Sequence, residues 1–157
     1  DPHPGFDIYP VESNLKVWKA VLVAPDDDSC LYQGGVYLLL IKFSDDYPVT
    51  PPTVRFHTPI RHVNVNSYGR ICHGILSRDW SASMSIRSVL DCIFGLLLAP
   101  DTQDALDSGL ALTAYNDMAS YRELARPQGE SATKTRADWA RELADDEEEA
   151  EVVGMES

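Results

Sequence analysis

The chain is poor in the residues that build disulfide frameworks, membrane spans and nucleic-acid grips. Its 157 residues include three cysteines, Cys30, Cys72 and Cys92, an odd number with no short metal-ligand spacing. Such usage fits free thiols in a reducing compartment, cytosol or nucleus, better than a stapled secreted scaffold. No apolar run approaches the roughly 18 residues of a membrane helix, and the start Asp1-Pro2-His3-Pro4-Gly5 has neither the basic nor the apolar region of a signal peptide. The first residue is not Met, as expected of a processed or excised chain. Internal repeats and glycine-rich phosphate loops are absent. Thirteen Lys and Arg face 25 Asp and Glu, so the basic stripe that nucleic-acid binding requires is missing as well.

What is present is a strongly acidic chain with a substantial apolar fraction. The formal net charge is -12, and residues 145–157 hold seven acids and no Lys or Arg, which leaves -5 on residues 1–144. A like-charge block of this kind is expected to be a solvated, disordered end; the sharper reading is a docking segment for a basic surface on a partner. The 44% hydrophobic content suits one domain with a real core over residues 1–144.

Leu15–Ala24 places Leu15, Val17, Val21 and Val23 as a half-buried strand that Pro25-Asp26-Asp27-Asp28 ends. Gly34-Gly35 opens a second, more apolar strand over Val36–Phe43, and Thr53–His57 alternates as a third. Tyr47-Pro48-Val49-Thr50-Pro51-Pro52 between them is a rigid connector, since proline fixes φ and donates nothing to a ladder. The three predict an antiparallel meander. After Cys72 the period lengthens: Ile86, Val89, Leu90, Ile93, Phe94, Leu97 and Leu98 recur at three and four residues, a buried helix with Ser85 as N-cap and Pro100 as stop. Ser108–Ala125 reads as one or two further helices with a break at Asn116-Asp117. Thr133–Ala144 reads as a last helix with Trp139 and Leu143 on one face. Strands first and helices after, with a long irregular stretch between, make an α+β domain.

In that irregular stretch, Cys72 follows Asn64 by eight residues with a Tyr68-Gly69 turn between. A thiol can attack a carbonyl, and a carboxamide can donate to the oxyanion so formed, a contribution of roughly 3 kcal/mol when preorganised. Asn64 serves equally well as a residue that orders the loop, and the spacing alone leaves both open.

The motifs Pro10-Val11-Glu12-Ser13-Asn14-Leu15, Trp18, Tyr32-Gln33-Gly34-Gly35, Tyr47-Pro48 with Pro51-Pro52, His62, Asn64, Gly69-Arg70-Ile71-Cys72, Ile75-Leu76 and Asp79-Trp80-Ser81 occur in an order that resembles the catalytic core of ubiquitin-conjugating enzymes. The resemblance covers roughly residues 5–144, with the family's first helix largely missing. It implies an α+β fold of that family and a two-step acyl relay without metal or organic cofactor, ATP being used by the activating enzyme. Cys72 would accept ubiquitin from the activating enzyme and yield it to a lysine or a ligase cysteine. It implies ubiquitin, its activating enzyme and a RING-type or cysteine-dependent ligase as partners, while the charge and the lack of long apolar runs lead us to expect neither nucleic acid nor membrane. It implies a structural role for His62 in the active-site loop, and a place for Asp104 facing the incoming lysine, where a turn-capping acid is the plainer alternative.

Several residues depart from the family pattern. Val63 replaces a proline between His62 and Asn64, which predicts a looser loop. Arg61 stands in place of a tyrosine, and His73-Gly74 in place of Leu-Asp. His73 is a candidate charge or base beside Cys72, although neighbours on an extended segment point opposite ways. Val49 and Ala82 occupy positions where relatives offer a large aromatic and a proline to a ligase. Asp91 occupies one where an apolar residue meets the donor ubiquitin. Cys30 and Cys92 lack the asparagine context and read as a packed thiol and a bystander. Three other readings stay open: a non-catalytic scaffold of the same fold, a conjugating enzyme for a ubiquitin-like modifier, and a thiol hydrolase drawing on His57, His62 or His73.

Overall fold

A computed structural model describes residues 3–101, 110, 113 and 116–144. Four strands, β1 (Phe6–Pro10), β2 (Val17–Val23), β3 (Val36–Lys42) and β4 (Thr53–Phe56), pair antiparallel in chain order. A 3₁₀ turn at Gly74–Leu76 leads to helices α1 (Ile86–Leu98), α2 (Met118–Ala125), the single turn α3 (Glu130–Thr133) and α4 over residues 136–144. Among the described residues no helix is long and apolar enough to cross a membrane.

The expected meander is present, with Val21 opposite Leu38 and Ile41 opposite Val54. The expectation of three strands is corrected to four, because β1 adds itself to β2 with Phe6 opposite Leu22 and Pro10 opposite Trp18. Its five residues carry too short a pattern to stand out, and Pro10 is tolerated because β1 is an edge strand. Helix α1 begins as expected: the Ser85 hydroxyl oxygen accepts the Ser88 N–H at 3.2 Å. Asp117 likewise caps α2 by accepting the Ser120 N–H at 3.2 Å, at the expected break. The helix expected over Thr133–Ala144 starts later, at residue 136. Thr135 and Asp138 form a capping box there, each side chain accepting the other's N–H, at 2.9 and 3.1 Å.

Strand alternation sends Ala20, Leu22, Tyr37, Leu39 and Ile41 to the inner face, where they pack on Val89, Leu90, Ile93 and Leu97 of α1. The opposite face is covered too. Trp139 and Leu143 of α4 lie on Val21 and Leu38, with Tyr9 and Val36 at the margin. This double coverage accounts for the continuous apolar run in β3, which alternation alone would not produce. Polar contacts fix the position of α4. Arg136 makes a two-pronged bond to the Asp7 carboxylate, 2.6 Å on each prong, and Lys134 stands 3.5 Å from the centre of the Trp139 ring while pairing with Glu142.

Trp139→Ala should therefore lower the unfolding free energy by about 3 kcal/mol in urea titration, as removal of a large buried side chain does. Arg136→Ala, whose pair is partly exposed, should cost about 1 kcal/mol or less. A loss below 1 kcal/mol for the tryptophan would mean that α4 is not docked on the sheet.

Candidate active site

The segment from Arg61 to Cys72 turns back on itself. Asn66 organises the turn, its side-chain oxygen accepting the N–H groups of Tyr68 at 2.9 Å and Arg70 at 3.0 Å. Gly69 follows with φ of +85°, and a Cβ there would run into the Phe56 carbonyl oxygen, so glycine is required at that point. The return arm passes Ile71 opposite Val65 and brings the Cys72 N–H to the Asn64 carbonyl at 2.7 Å. Cys72 is half-buried, at the wall of a cavity of about 220 Å³ that Pro52, Thr53, Arg70, His73 and Leu76 also line.

Three buried ties join this turn to α1, to Asp101 just after it, and to α2. His62 is 1% exposed; its Nδ1 accepts the Asn64 N–H at 3.0 Å, so the proton sits on Nε2, which donates to the Leu96 carbonyl at 2.7 Å. That carbonyl is one of the orphan acceptors in the last turn of α1. Burial lowers the His62 pKa to about 4, and the ring is neutral at pH 7. The structural role expected of His62 thus has a geometry.

Asn64 is fully buried, and its carboxamide grips one peptide group: Nδ2 donates to the Asp101 carbonyl at 2.6 Å, and Oδ1 accepts the Asp101 N–H at 2.9 Å. Of the two readings of Asn64, loop ordering is the one this conformation displays.

Tyr32 and Tyr121 make the third tie, which the sequence reading missed. The Val63 N–H donates to the Tyr121 hydroxyl at 3.3 Å, that hydroxyl contacts Tyr32 Oη at 2.9 Å, and Tyr32 donates to the Arg61 carbonyl at 2.6 Å. With both ends fixed, the proton order runs from Val63 through Tyr121 and Tyr32 to Arg61. Burial raises the pKa of both phenols, which remain protonated donors. The expectation that Val63 loosens the loop is therefore corrected. Val63 is fully buried, and it offers an N–H that a proline lacks. The signal was present in Tyr32-Gln33-Gly34-Gly35, but nothing in the sequence pairs Tyr32 with a tyrosine 89 residues away.

The remaining candidates fall as follows. His73 Nδ1 accepts the Ile75 N–H at 3.1 Å and caps the 3₁₀ turn, so that nitrogen is engaged by the turn. Val49 is 76% exposed and Ala82 is also exposed; the Trp80 indole N–H, donating to the Pro48 carbonyl at 2.9 Å, ties their two segments together. Asp91 lies on the exposed side of α1, its Oδ1 held by Arg87 at 3.1 Å and by His3 at 3.0 Å. Cys30 is the packed thiol, its Sγ 3.3 Å from the Leu97 carbonyl, and Cys92 is half-buried. Asp104 lies outside the described residues.

Comparison with known proteins shows the family. Residues 1–128 match the family described as ubiquitin-conjugating enzyme. The chain belongs to that family, and its four-stranded sheet and helices are the α+β fold the resemblance implied. It is 42% identical over 111 residues to ubiquitin-conjugating enzyme E2 13 of Schizosaccharomyces pombe, covering 71% of this chain and 74% of the yeast protein. It is also 41% identical over 143 residues, 90% of this chain, to a probable bifunctional E2/E3 enzyme, R795, of Acanthamoeba polyphaga mimivirus, of which the chain spans 11%.

Two outcomes follow from the buried ties. The unfolded chain takes up a proton on His62 between pH 6.5 and about 4 and the folded chain does not, so stability is complete above pH 6.5 and is lost as pH falls toward 4. Urea titrations at pH 7 and pH 4.5 should differ by about 2 to 3 kcal/mol more in the parent chain than in His62→Gln. Tyr121→Phe leaves the Val63 N–H and the Tyr32 hydroxyl each one partner short. It should cost about 1 to 3 kcal/mol in the same assay, with faster amide exchange at Val63.

Proposed function

We propose that this chain carries ubiquitin as a thioester on Cys72 and passes it to a lysine amine or a ligase cysteine. The observation that carries the reading is the placement of a half-exposed thiol at a cavity wall, on the return arm of a turn whose other arm bears Asn64, within a domain of this family. Thioester exchange conserves bond type and needs a thiolate of ordinary basicity: the Cys72 sulfur bonds to the ubiquitin carbonyl carbon as the activating enzyme's sulfur leaves with a proton. In aminolysis the amine nitrogen replaces the Cys72 sulfur and gives up its proton.

Asn64 acts in this reading as a positioning residue. Its hydrogen bonds hold the Asp101 peptide, three residues before Asp104, the acid assigned to the incoming amine. Val49 and Ala82 form the ligase-facing surface, smaller than in relatives, and suit a partner that supplies its own bulk. A charge at Asp91 disfavours packing of an apolar donor patch there, so discharge to free lysine is slow without the cognate ligase. Residues 145–157 form an acidic tail beyond the catalytic core.

Charging with activating enzyme, ATP and ubiquitin should give a reductant-sensitive adduct. It should be absent in Cys72→Ala and become a reductant-resistant ester in Cys72→Ser. Asn64→Ala should charge normally and discharge to lysine about a hundredfold more slowly, as misplacement of a positioned group does. No adduct with ubiquitin or any ubiquitin-like modifier would make the domain a binding scaffold, and turnover of a ubiquitin thioester without activating enzyme would make it a hydrolase.

A further inference from the structure

The outer face of the sheet is covered only in part. Past Leu38, where α4 ends its coverage, β3 and β4 present a groove of about 380 Å³ lined by Leu40, Lys42, Thr53, Arg55, Tyr68 and Arg70. Strand alternation points Lys42 and Arg55 to this face, and Arg55 forms a bridge opposite Arg70, so two guanidinium side chains belong to directly opposed residues. Like charges in such a cross-strand pair repel. Lys42, Arg55 and Arg70 are exposed and make no ion pair with any described residue, in a chain whose net charge is -12. Tyr68, 82% exposed, stands beside them with Leu40 as the apolar part of the lining.

We propose that the chain's own acidic segment, residues 145–157, docks in this groove. Charge is complementary: Asp145, Asp146, Glu147, Glu148, Glu149 and Glu151 meet three cations that the described residues leave uncompensated. The order of residue types also suits the lining, since Val152, Val153 and Met155 follow the acids and match Leu40 and Tyr68. The reach is ample. The last described residue of α4 is Ala144, one turn-fraction past Leu143 in the cluster on Leu38, and Leu40 is the next outward residue of β3. Two residues of strand separate Leu38 from Leu40, about 7 Å, whereas 13 residues span up to about 43 Å. A tether of this length holds the segment at a local concentration on the order of millimolar, above that of a free acidic peptide. Thr53 and Arg70 line the cavity at Cys72 as well, so the docked segment borders one side of the thiol. The docking does not depend on the thioester reading, and its failure leaves that reading untouched.

Zero-length carbodiimide coupling of the full 157-residue chain tests it, because Lys42 is the groove's only amine. At about 20 mM salt, peptide mapping should find an amide between Lys42 and carboxylates of residues 145–151, lost at about 500 mM salt where charges are screened within a few ångströms. Mixing isotope-labelled and unlabelled chains should give coupling within single chains only. Arg55→Glu with Arg70→Glu should abolish the link and Arg55→Lys with Arg70→Lys should keep it, both with unchanged thermal midpoints. No link to Lys42, a preferred link to Lys16, Lys19 or Lys134, links between chains, or insensitivity to the charge reversal would each overturn the proposal.

Discussion

A single neutral imidazole joins the last turn of α1 to the turn that carries the thiol. His62 donates to the Leu96 carbonyl and accepts the Asn64 N–H, and the Asn64 carbonyl in turn accepts the Cys72 N–H. Three successive hydrogen bonds thus fix the backbone of Cys72 relative to a helix buried against the sheet. The same joint completes the C-terminal turn of α1, where Gly95, Leu96 and Leu97 carbonyls are taken by the Ala99 N–H, His62 and Cys30. Protonation of His62 turns an acceptor into a donor facing the Asn64 N–H, so the middle link depends on its remaining neutral.

The two further ties act on the same segment from other directions. Asn64 reaches across to the Asp101 peptide, and the paired tyrosines reach from α2 and the loop after β2 to the backbone of Arg61 and Val63. Each buried polar group in this network has a partner, so the Cys72 turn is held without regular secondary structure. A proline at position 63 would restrict φ; valine keeps the position rigid by another means, a hydrogen bond and complete burial.

Local signals were the legible part of the sequence. The β2 to β4 meander, the Ser85 cap and the face bearing Trp139 and Leu143 all follow from periodicity and capping chemistry within a dozen residues. Cys72, His62 and Asn64 stood out because ordered motifs frame them. What escaped depends on partners far along the chain. β1 is defined by its pairing with β2 more than by its own pattern. The choice between oxyanion donor and loop tie for Asn64 turns on where the Asp101 peptide lies, and the Tyr32 and Tyr121 hydroxyls become a pair only in three dimensions. Even the late start of α4 was decided by one reciprocal cap between Thr135 and Asp138.

The layering of α4, the sheet and α1 divides the domain into regions that open at different free energies. Where Val21 and Leu38 are sandwiched between Trp139 and the inner core, backbone amides have the least access to solvent and exchange last. The Cys72 turn lies past the opposite edge, beyond β4, and is secured by isolated backbone bridges and side-chain hydrogen bonds instead of a continuous ladder. It can part from the rest by releasing a few of those bonds while the sandwiched strands stay closed. In a conjugating enzyme, whose partners are themselves proteins, this separation lets the Cys72 end loosen while the sandwiched end of the sheet stays intact.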